Sequence, residues 1–266
     1  MKKICLDLLL VERGLVESRS MAQRLVMAGQ VRVNGEIVLR SAAYVMPDVL
    51  LKVETGPQYV SRGGEKLEAA FQAFKLDVDG QTCADVGSST GGFTDCLLQH
   101  GAAKVFAIDV GQGILDWKLR QDRRVIVMEG TNARYLERLL DAVEIITIDA
   151  SFISLKVLLP VVKNWFFSEI NSLLTSKGTI IALIKPQFEA GRQQVGRGKG
   201  VIRDPAIHRQ LLMDVLGYAL QQGYGIRGLL RSPLTGPKGN VEFLTWLEYP
   251  GEQKDSLEGL VDSVLS

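Results

Sequence analysis

Apolar positions along this chain change their period twice, and the changes divide it into units. Near the start, Leu6, Leu9 and Leu10 fall at helical spacing, and the run stops at Gly14 with Arg13 in its last turn. Ser18 can cap a second helix, in which Met21, Ala22, Leu25 and Ala28 form one apolar stripe ended by Gly29. Two β-prone runs, Val31-Arg32-Val33 and Glu36-Ile37-Val38-Leu39, flank Asn34-Gly35. A two-residue type I′ turn needs positive φ at both central positions, so this pair predicts a hairpin. A later strand is predicted over residues 49–53, and Thr55-Gly56-Pro57 breaks the chain. A small α+β domain over residues 1–58 is expected.

Beyond residue 80 the pattern alternates strand and helix. Continuous apolar, β-branched runs at residues 83–86, 105–108, 125–128, 144–148 and 179–184 are separated by helical stretches. Unbroken runs of this kind suit a parallel sheet buried on both faces. The expectation is an α/β, Rossmann-like doubly wound sheet over residues 59–250. Residues 251–266 are expected to form an acidic tail.

Composition adds limits to this picture. With 266 residues the chain exceeds a typical domain of about 100–150 residues, in keeping with two units. Its 46% hydrophobic and 23% charged residues exclude wholesale disorder. The formal charge is +1, but residues 1–60 carry 8 basic and 6 acidic groups, whereas residues 251–266 carry 1 and 4. Any nucleic-acid contact must therefore be a local patch. Cys5, Cys83 and Cys96 have neither the even count nor the clustering of a disulfide framework or zinc site, and are expected to be reduced and buried. His100 and His208 lack ligand-like neighbours along the chain, so no metal is expected. Asp7, Glu12 and Arg13 interrupt the apolar start, which argues against an export signal. No window reaches about 18 uncharged apolar residues, so no stable membrane insertion is expected, and a cytoplasmic location is.

The candidate chemistry begins at ADVGSSTGGFTDCLL, where Gly87, Gly91 and Gly92 lie in the turn from the first strand of the sheet into its helix. Glycines allow close backbone approach, and the helix start offers free N–H groups. Alone, the turn suits NAD, FAD or S-adenosylmethionine. Asp109 ends the next strand about twenty residues on, where an acid can accept both hydroxyls of a ribose. Asp85 adds a second carboxylate near the turn. Such an acidic site suits a cationic sulfonium better than a pyrophosphate. Asp149 and Lys185 follow the fourth and fifth strands, which brings both to the carboxyl edge of the sheet beside the turn. Lys66 starts a helix after Gly63-Gly64, and Glu242 falls in a late apolar strand that could return it to the cleft. Residues 191–203 hold Arg192, Arg197, Lys199 and Arg203, with four glycines and no acid, a composition that suits backbone phosphates. Arg62 could extend that patch.

Several of these segments resemble known families. The run SRSMAQRLVMAGQVRVNGEIV, with its order of helix, capped helix and hairpin, resembles the small RNA-binding domain called the alpha-L motif. That resemblance implies that Arg19, Arg24 and Arg32, with Gln23 and Gln30, face structured RNA. The run DVGSSTGGFTDCLLQHGAAKVFAIDVG resembles the cofactor motif of the FtsJ-like methyltransferases. YVSRGGEKLEAAF, GTNAR, IDASFISL and LIKPQFEAG resemble the TlyA, or hemolysin A-like, subgroup, which joins the two domains.

The resemblance implies S-adenosylmethionine as cofactor, held by Asp85, Gly87, Ser88, Ser89, Thr90, Gly91, Gly92, Phe93 and Asp109, with Asn132 near the adenine. It implies a catalytic set of Lys66, Asp149, Lys185 and Glu242, and 2′-O-methylation of cytidine in ribosomal RNA of either or both subunits. In this set Lys185 is expected to be the base or hydroxyl-orienting group, supported by Asp149. Lys66 is expected to lower its proton affinity and to hold the target phosphate or hydroxyl, while Glu242 positions one of the lysines. Expected partners are ribosomal RNA or ribosomal subunits, with a monomer favoured. Competing readings are a noncatalytic RNA-binding or ribosome-assembly protein, a hemolysin-like protein acting indirectly on membranes, and a small-molecule methyltransferase.

Overall fold

The computed structural model describes residues 3–54, 56–167, 177–190, 200–236 and 238–265. By its contacts the chain divides into two units, Met1–Gln58 and Tyr59–Ser266.

In the first unit, α1 (Leu6–Glu12) and α2 (Arg19–Met27) pack on each other, and their ends obey local rules. Ser18 accepts from the Met21 N–H at the start of α2. Both helices close with a residue pair that returns two N–H groups to the last turn: Gly29 to Val26 and Gln30 to Leu25, Gly14 to Val11 and Leu15 to Leu10. The buried side of α2 is Ala22 and Val26 against Leu6, Leu10 and Val31. It is not the expected stripe, because Met21 and Ala28 are exposed. Facing α1 turns the helix by one position, since Ala22 and Val26 lie one turn apart and fill the contact together. The hairpin of β2 (Val31–Val33) and β3 (Glu36–Ile37) turns at Asn34 and Gly35, with φ of 52° and 89°. β5 (Leu51–Val53) pairs with β2 on its other side. The two-residue strands β1 (Ile4–Cys5) and β4 (Tyr44–Val45) pair antiparallel and are too short to leave a periodic signal.

The second unit opens with α3 (Gly63–Phe74) and builds one seven-stranded sheet. Its strands are β6 (Thr82–Val86), β7 (Lys104–Ile108), β8 (Val125–Met128), β9 (Ile145–Ile148), β10 (Gly178–Ile184), β11 (Gly225–Arg231) and β12 (Phe243–Tyr249). They lie in the order β11-β12-β10-β9-β6-β7-β8, in which the first five in the chain run parallel and β11 and β12 are antiparallel. The five apolar runs are the five parallel strands, and β9 is buried along its whole length. The order reverses between β6 and β9, so a crevice opens at their carboxyl ends. Helices α4 (Gly92–Gln99), α5 (Trp117–Arg120), α6 (Leu155–Val162), α7 (Pro186–Glu189) and α8 (Pro205–Gln221) connect the strands. Two apolar clusters pack on the sheet, one around Phe106, Ile146 and Trp165 and one around Leu67, Leu97 and Leu183.

The last segment differs from the expected tail. Residues 257–265 form α9 (Leu257–Leu265), which packs on α8 and β11 with Val261 fully buried. Its Asp262 pairs with Arg209 at 2.7 Å, so part of the acidic charge is tied to the domain surface. Its apolar residues at helical spacing outweigh its charge, and that period was the signal missed. Val261→Asp should lower the thermal midpoint by several degrees, because it buries an unpaired charge at a cost of about 2 kcal/mol or more. An unchanged midpoint in thermal unfolding would show the helix to be a free tail.

Candidate active site

The crevice is built where two strand ends nearly touch. Gly87 follows β6 with φ of 82°, and a Cβ placed there would lie 2.8 Å from the Asp149 carbonyl oxygen. Only glycine tolerates both conditions. The turn after β6 therefore lies directly against the segment after β9, and Asp149 donates its N–H to Val86.

Around this junction lie three cavities. The first, of about 570 Å³, is lined by the turn residues Gly87, Ser88, Ser89 and Thr90, by Gly92 and Phe93, and by Arg62, Lys66, Asp149 and Lys185. The second, of about 400 Å³, shares Gly87, Ser89 and Asp149 with it and runs past Ile108, Asp109 and Asn132 to Leu158. The third, of about 610 Å³, lies beyond Lys185 and is lined by Phe152, Phe188, Lys238 and Glu242 among others.

The expected cofactor residues divide under this geometry. Asp109 accepts from Ser89 N–H at 2.8 Å and from Gly111 N–H at 2.7 Å, one on each carboxylate oxygen, while facing the second cavity. Asn132 faces the same cavity and accepts from Arg134 N–H. Ser88 is buried, and its Oγ has no hydrogen-bond partner among the described residues. Gly91 corrects the expectation, because it lines none of the three cavities. Its φ is 98°, and a Cβ there would run into Leu119, so packing against α5 explains this glycine.

Asp85 is a second correction. It is fully buried beneath the turn and lines none of the three cavities. Thr94 Oγ1 donates to one of its oxygens at 2.7 Å and Thr147 Oγ1 to the other at 3.1 Å. Burial pushes its pKa up to about 7, and the charge of Asp149 adds to the rise. The wall of the first cavity is also less acidic than expected, since Arg62, Lys66 and Lys185 share it with Asp149.

The four expected catalytic residues form two ion pairs. Lys185 Nζ lies 2.6 Å from Asp149 Oδ1, although that approach is not aligned as a hydrogen bond, and it donates to Ser151 Oγ at 3.0 Å and to the Asp149 carbonyl at 3.3 Å. Lys66 Nζ donates to Glu242 Oε2 at 2.7 Å, and both are largely buried. Glu242 stands just ahead of β12 rather than within a strand, and the lysine it meets is Lys66. Lys66 thus carries its own carboxylate partner, which offsets the positive charge expected to lower the proton affinity of Lys185. Buried charges persist only when paired in this way.

Sequence reasoning missed Ser151 and Phe152. Phe152 is 91% exposed with φ of 64°, and its ring lies 4.9 Å from that of Phe188. An exposed phenylalanine in the loop after a strand's carboxyl end was the available signal. His100 also corrects an expectation. Its Nε2 lies 2.6 Å from Glu68 Oε2, with Cys96 one helical turn earlier, so the three groups come within 4.8 Å of one another. Tyr59, Gln72 and His100 all hydrogen-bond Glu68.

In the first unit, Arg19 and Gln23 both bond the buried Asp7 at 2.8 Å. Burial alone would raise the Asp7 pKa, but hydrogen bonds from Cys5, Arg19 and Gln23 outweigh it and hold it down to about 2. Arg19 is thus committed to a buried carboxylate. Arg32 pairs with Glu54 at 2.6 Å, and Arg24 is exposed. Arg192, Arg197 and Lys199 lie outside the described residues.

Comparison with known proteins follows the same two units. Residues 59–249 match the model of the FtsJ-like methyltransferases, and residues 6–42 match that of the S4 domain. The chain is 47% identical over 261 residues to YqxC of Bacillus subtilis, provisionally named an rRNA methyltransferase, covering 97% of this chain and 90% of that one. It is 42% identical over 262 residues to the 16S/23S rRNA (cytidine-2′-O)-methyltransferase TlyA of Mycobacterium tuberculosis, covering 97% and 94%. A solved structure from Streptococcus thermophilus, provisionally named a hemolysin, superposes with a TM-score of 0.70 at 41% identity over 99% of this chain and 96% of that one.

The state of Asp85 has a measurable consequence. Its folded pKa, about 7, exceeds the ordinary 3.8. The folded state therefore binds the extra proton, and this group's contribution is complete below about pH 4 and lost as pH rises through 7. At ~1.36 kcal/mol per unit the loss is about 4 kcal/mol. Thermal midpoints from pH 4.5 to 8 should fall less steeply in Asp85→Asn than in the parent, and parallel curves would refute the raised pKa.

Proposed function

The chain belongs to the FtsJ-like methyltransferase family, and on that premise we propose that it methylates the 2′-hydroxyl of a cytidine ribose in ribosomal RNA. It is an S-adenosylmethionine-dependent methyltransferase. The observation that carries the reading is the first cavity, where the glycine turn meets Lys185, Asp149 and Lys66 on one wall system.

The residues present fit the cofactor. Gly87 lines both adjoining cavities, Ser88 offers a buried and unpartnered hydroxyl, and Asp109 faces the second cavity with a carboxylate already oriented by two N–H groups. Ser89, Thr90, Gly92, Phe93 and Asn132 complete the walls. When bound, the cofactor supplies an electrophilic methyl group whose bond pair stays on sulfur. Lys185 is the base, or the group that orients the acceptor hydroxyl, a kind of assistance worth about 10²–10⁴-fold. Asp149 fixes the lysine, and Lys66, steered by Glu242, reaches the acceptor's phosphate or hydroxyl. Arg62 and the basic residues Arg192, Arg197 and Lys199 add phosphate contacts. The exposed Phe152 ring, packed on the half-buried Phe188 next to Lys185, suits a splayed base, the form in which single-stranded RNA bases are gripped.

The S4-type unit grips folded RNA through Arg24 and Arg32, whose surface pair with Glu54 is weak enough to yield to phosphate. Arg19 contributes mainly by holding Asp7. A cytoplasmic setting accords with a ribosomal substrate. The membrane reading draws no support from the fold, since among the described residues no helix is long and apolar enough to cross a bilayer.

Mass-spectrometric mapping of ribosomal RNA should show one or more cytidine 2′-O-methyl groups that depend on the protein. Their absence would sink the reading. Lys185→Ala should lower single-turnover methylation by about 10²-fold or more while retaining cofactor affinity. Retained turnover would remove Lys185 from its role. Deleting residues 1–58 should weaken RNA binding strongly and leave S-adenosylmethionine binding by residues 59–266 intact, as filter binding and calorimetry would measure. Undiminished RNA affinity would refute the two-module account.

A further inference from the structure

We propose that Ser151 relays the acceptor hydroxyl's proton to Lys185, an assignment that rests on the methyl-transfer reading above. Among the described residues three oxygens surround Lys185 Nζ: Asp149 Oδ1 at 2.6 Å, Ser151 Oγ at 3.0 Å and the Asp149 carbonyl at 3.3 Å. A carboxylate and a carbonyl can only accept hydrogen bonds, whereas a hydroxyl can accept or donate. All three oxygens suit an ammonium, whose three protons need acceptors. A base, however, must present a lone pair, and a lone pair needs a donor. Of the three neighbours only Ser151 can turn from acceptor to donor.

Its placement agrees with this switch. Of the described residues, Ser151 alone lines all three cavities around the site. It is exposed, while the Lys185 side chain is only 9% exposed. A hydroxyl entering the crevice thus meets an accessible oxygen that is already hydrogen-bonded to the enclosed lysine.

The transfer starts from Lys185 as the neutral amine, its ammonium having first released one proton to solvent, and from there it balances without a further reagent. The acceptor O–H breaks and its proton binds Ser151 Oγ, as the Ser151 proton passes to the Lys185 lone pair. The acceptor oxygen bonds the methyl carbon, whose former bond pair remains on sulfur. Ser151 ends as it began, and the positive charge that left sulfur resides on the Lys185 ammonium.

Two measurements on the full chain test the relay. In the first, the Lys185 Nζ–H signal is followed by NMR without cofactor or RNA. Its exchange with water should be slow in the parent, faster in Ser151→Ala and restored in Ser151→Thr, which keeps the hydroxyl. In the second, single-turnover methylation of ribosomal RNA in mixed light and heavy water should show two protons in motion in the parent and one in Ser151→Ala. The Ser151→Ala rate should fall by about 10²-fold with unchanged RNA affinity, and Ser151→Thr should recover most of it. Parental exchange, parental rate or an unaltered isotope response in Ser151→Ala would overturn the relay alone, as would failure of Ser151→Thr to recover the rate. No methyl transfer by the parent would overturn the methyl-transfer reading, and the relay with it.

Discussion

The close approach of Gly87 to the Asp149 carbonyl is the constraint on which the site depends. A parallel sheet brings strand ends together only to the distance that side chains allow, and here one side chain is missing. The gap closes until the turn after β6 rests on the segment after β9. Cofactor residues from one segment and Asp149 and Ser151 from the other then share the same cavity walls. The same economy recurs where α3 meets α4: a Cβ on Gly92 would lie 2.8 Å from Gly64 N, so these glycines let the helix starts approach beside the crevice.

Charge within this region is arranged in pairs that divide the work. Lys66 and Glu242 form one closed pair, and Lys185 and Asp149 form another that opens on Ser151. Asp85 sits beneath them, bonded by two threonine hydroxyls and raised in pKa by burial. Pairing each lysine with its own carboxylate offsets the desolvation that either charge would suffer alone. It also leaves Ser151, the one oxygen neighbour of Lys185 among the described residues able to act as a donor, on the solvent side of the crevice.

Much of this was legible in the chain. The five parallel strands follow from continuous apolar runs, the Asn34-Gly35 hairpin from the need for positive φ, and both helix ends of the first unit from glycine. Asp149 and Lys185 could be assigned to one edge because each ends a run in a parallel sheet. Other features required distances that no spacing encodes. Asp85 and Asp109 look alike in sequence, yet one is sealed under the turn and the other faces a cavity. Gly91 belongs to the glycine-rich motif but serves helix packing. Arg19 looks like an RNA contact and is held by a buried aspartate. Residues 257–265 were expected as a charged tail, although their apolar spacing already encoded a packed helix.

The sequence by itself determined the two units, the order of strands and helices, the edge at which the chemistry gathers and the family to which the motifs belong. These follow from local periods, backbone preferences and residue type, which act over a few positions. Only the tertiary structure decided which acid meets which lysine, which glycine serves a cofactor and which serves packing, and that a serine outside the expected set touches the central lysine. Those outcomes depend on contacts between residues 28 to 176 positions apart, from Gly91–Leu119 to Lys66–Glu242, and distances of that kind exist only once the sheet has closed.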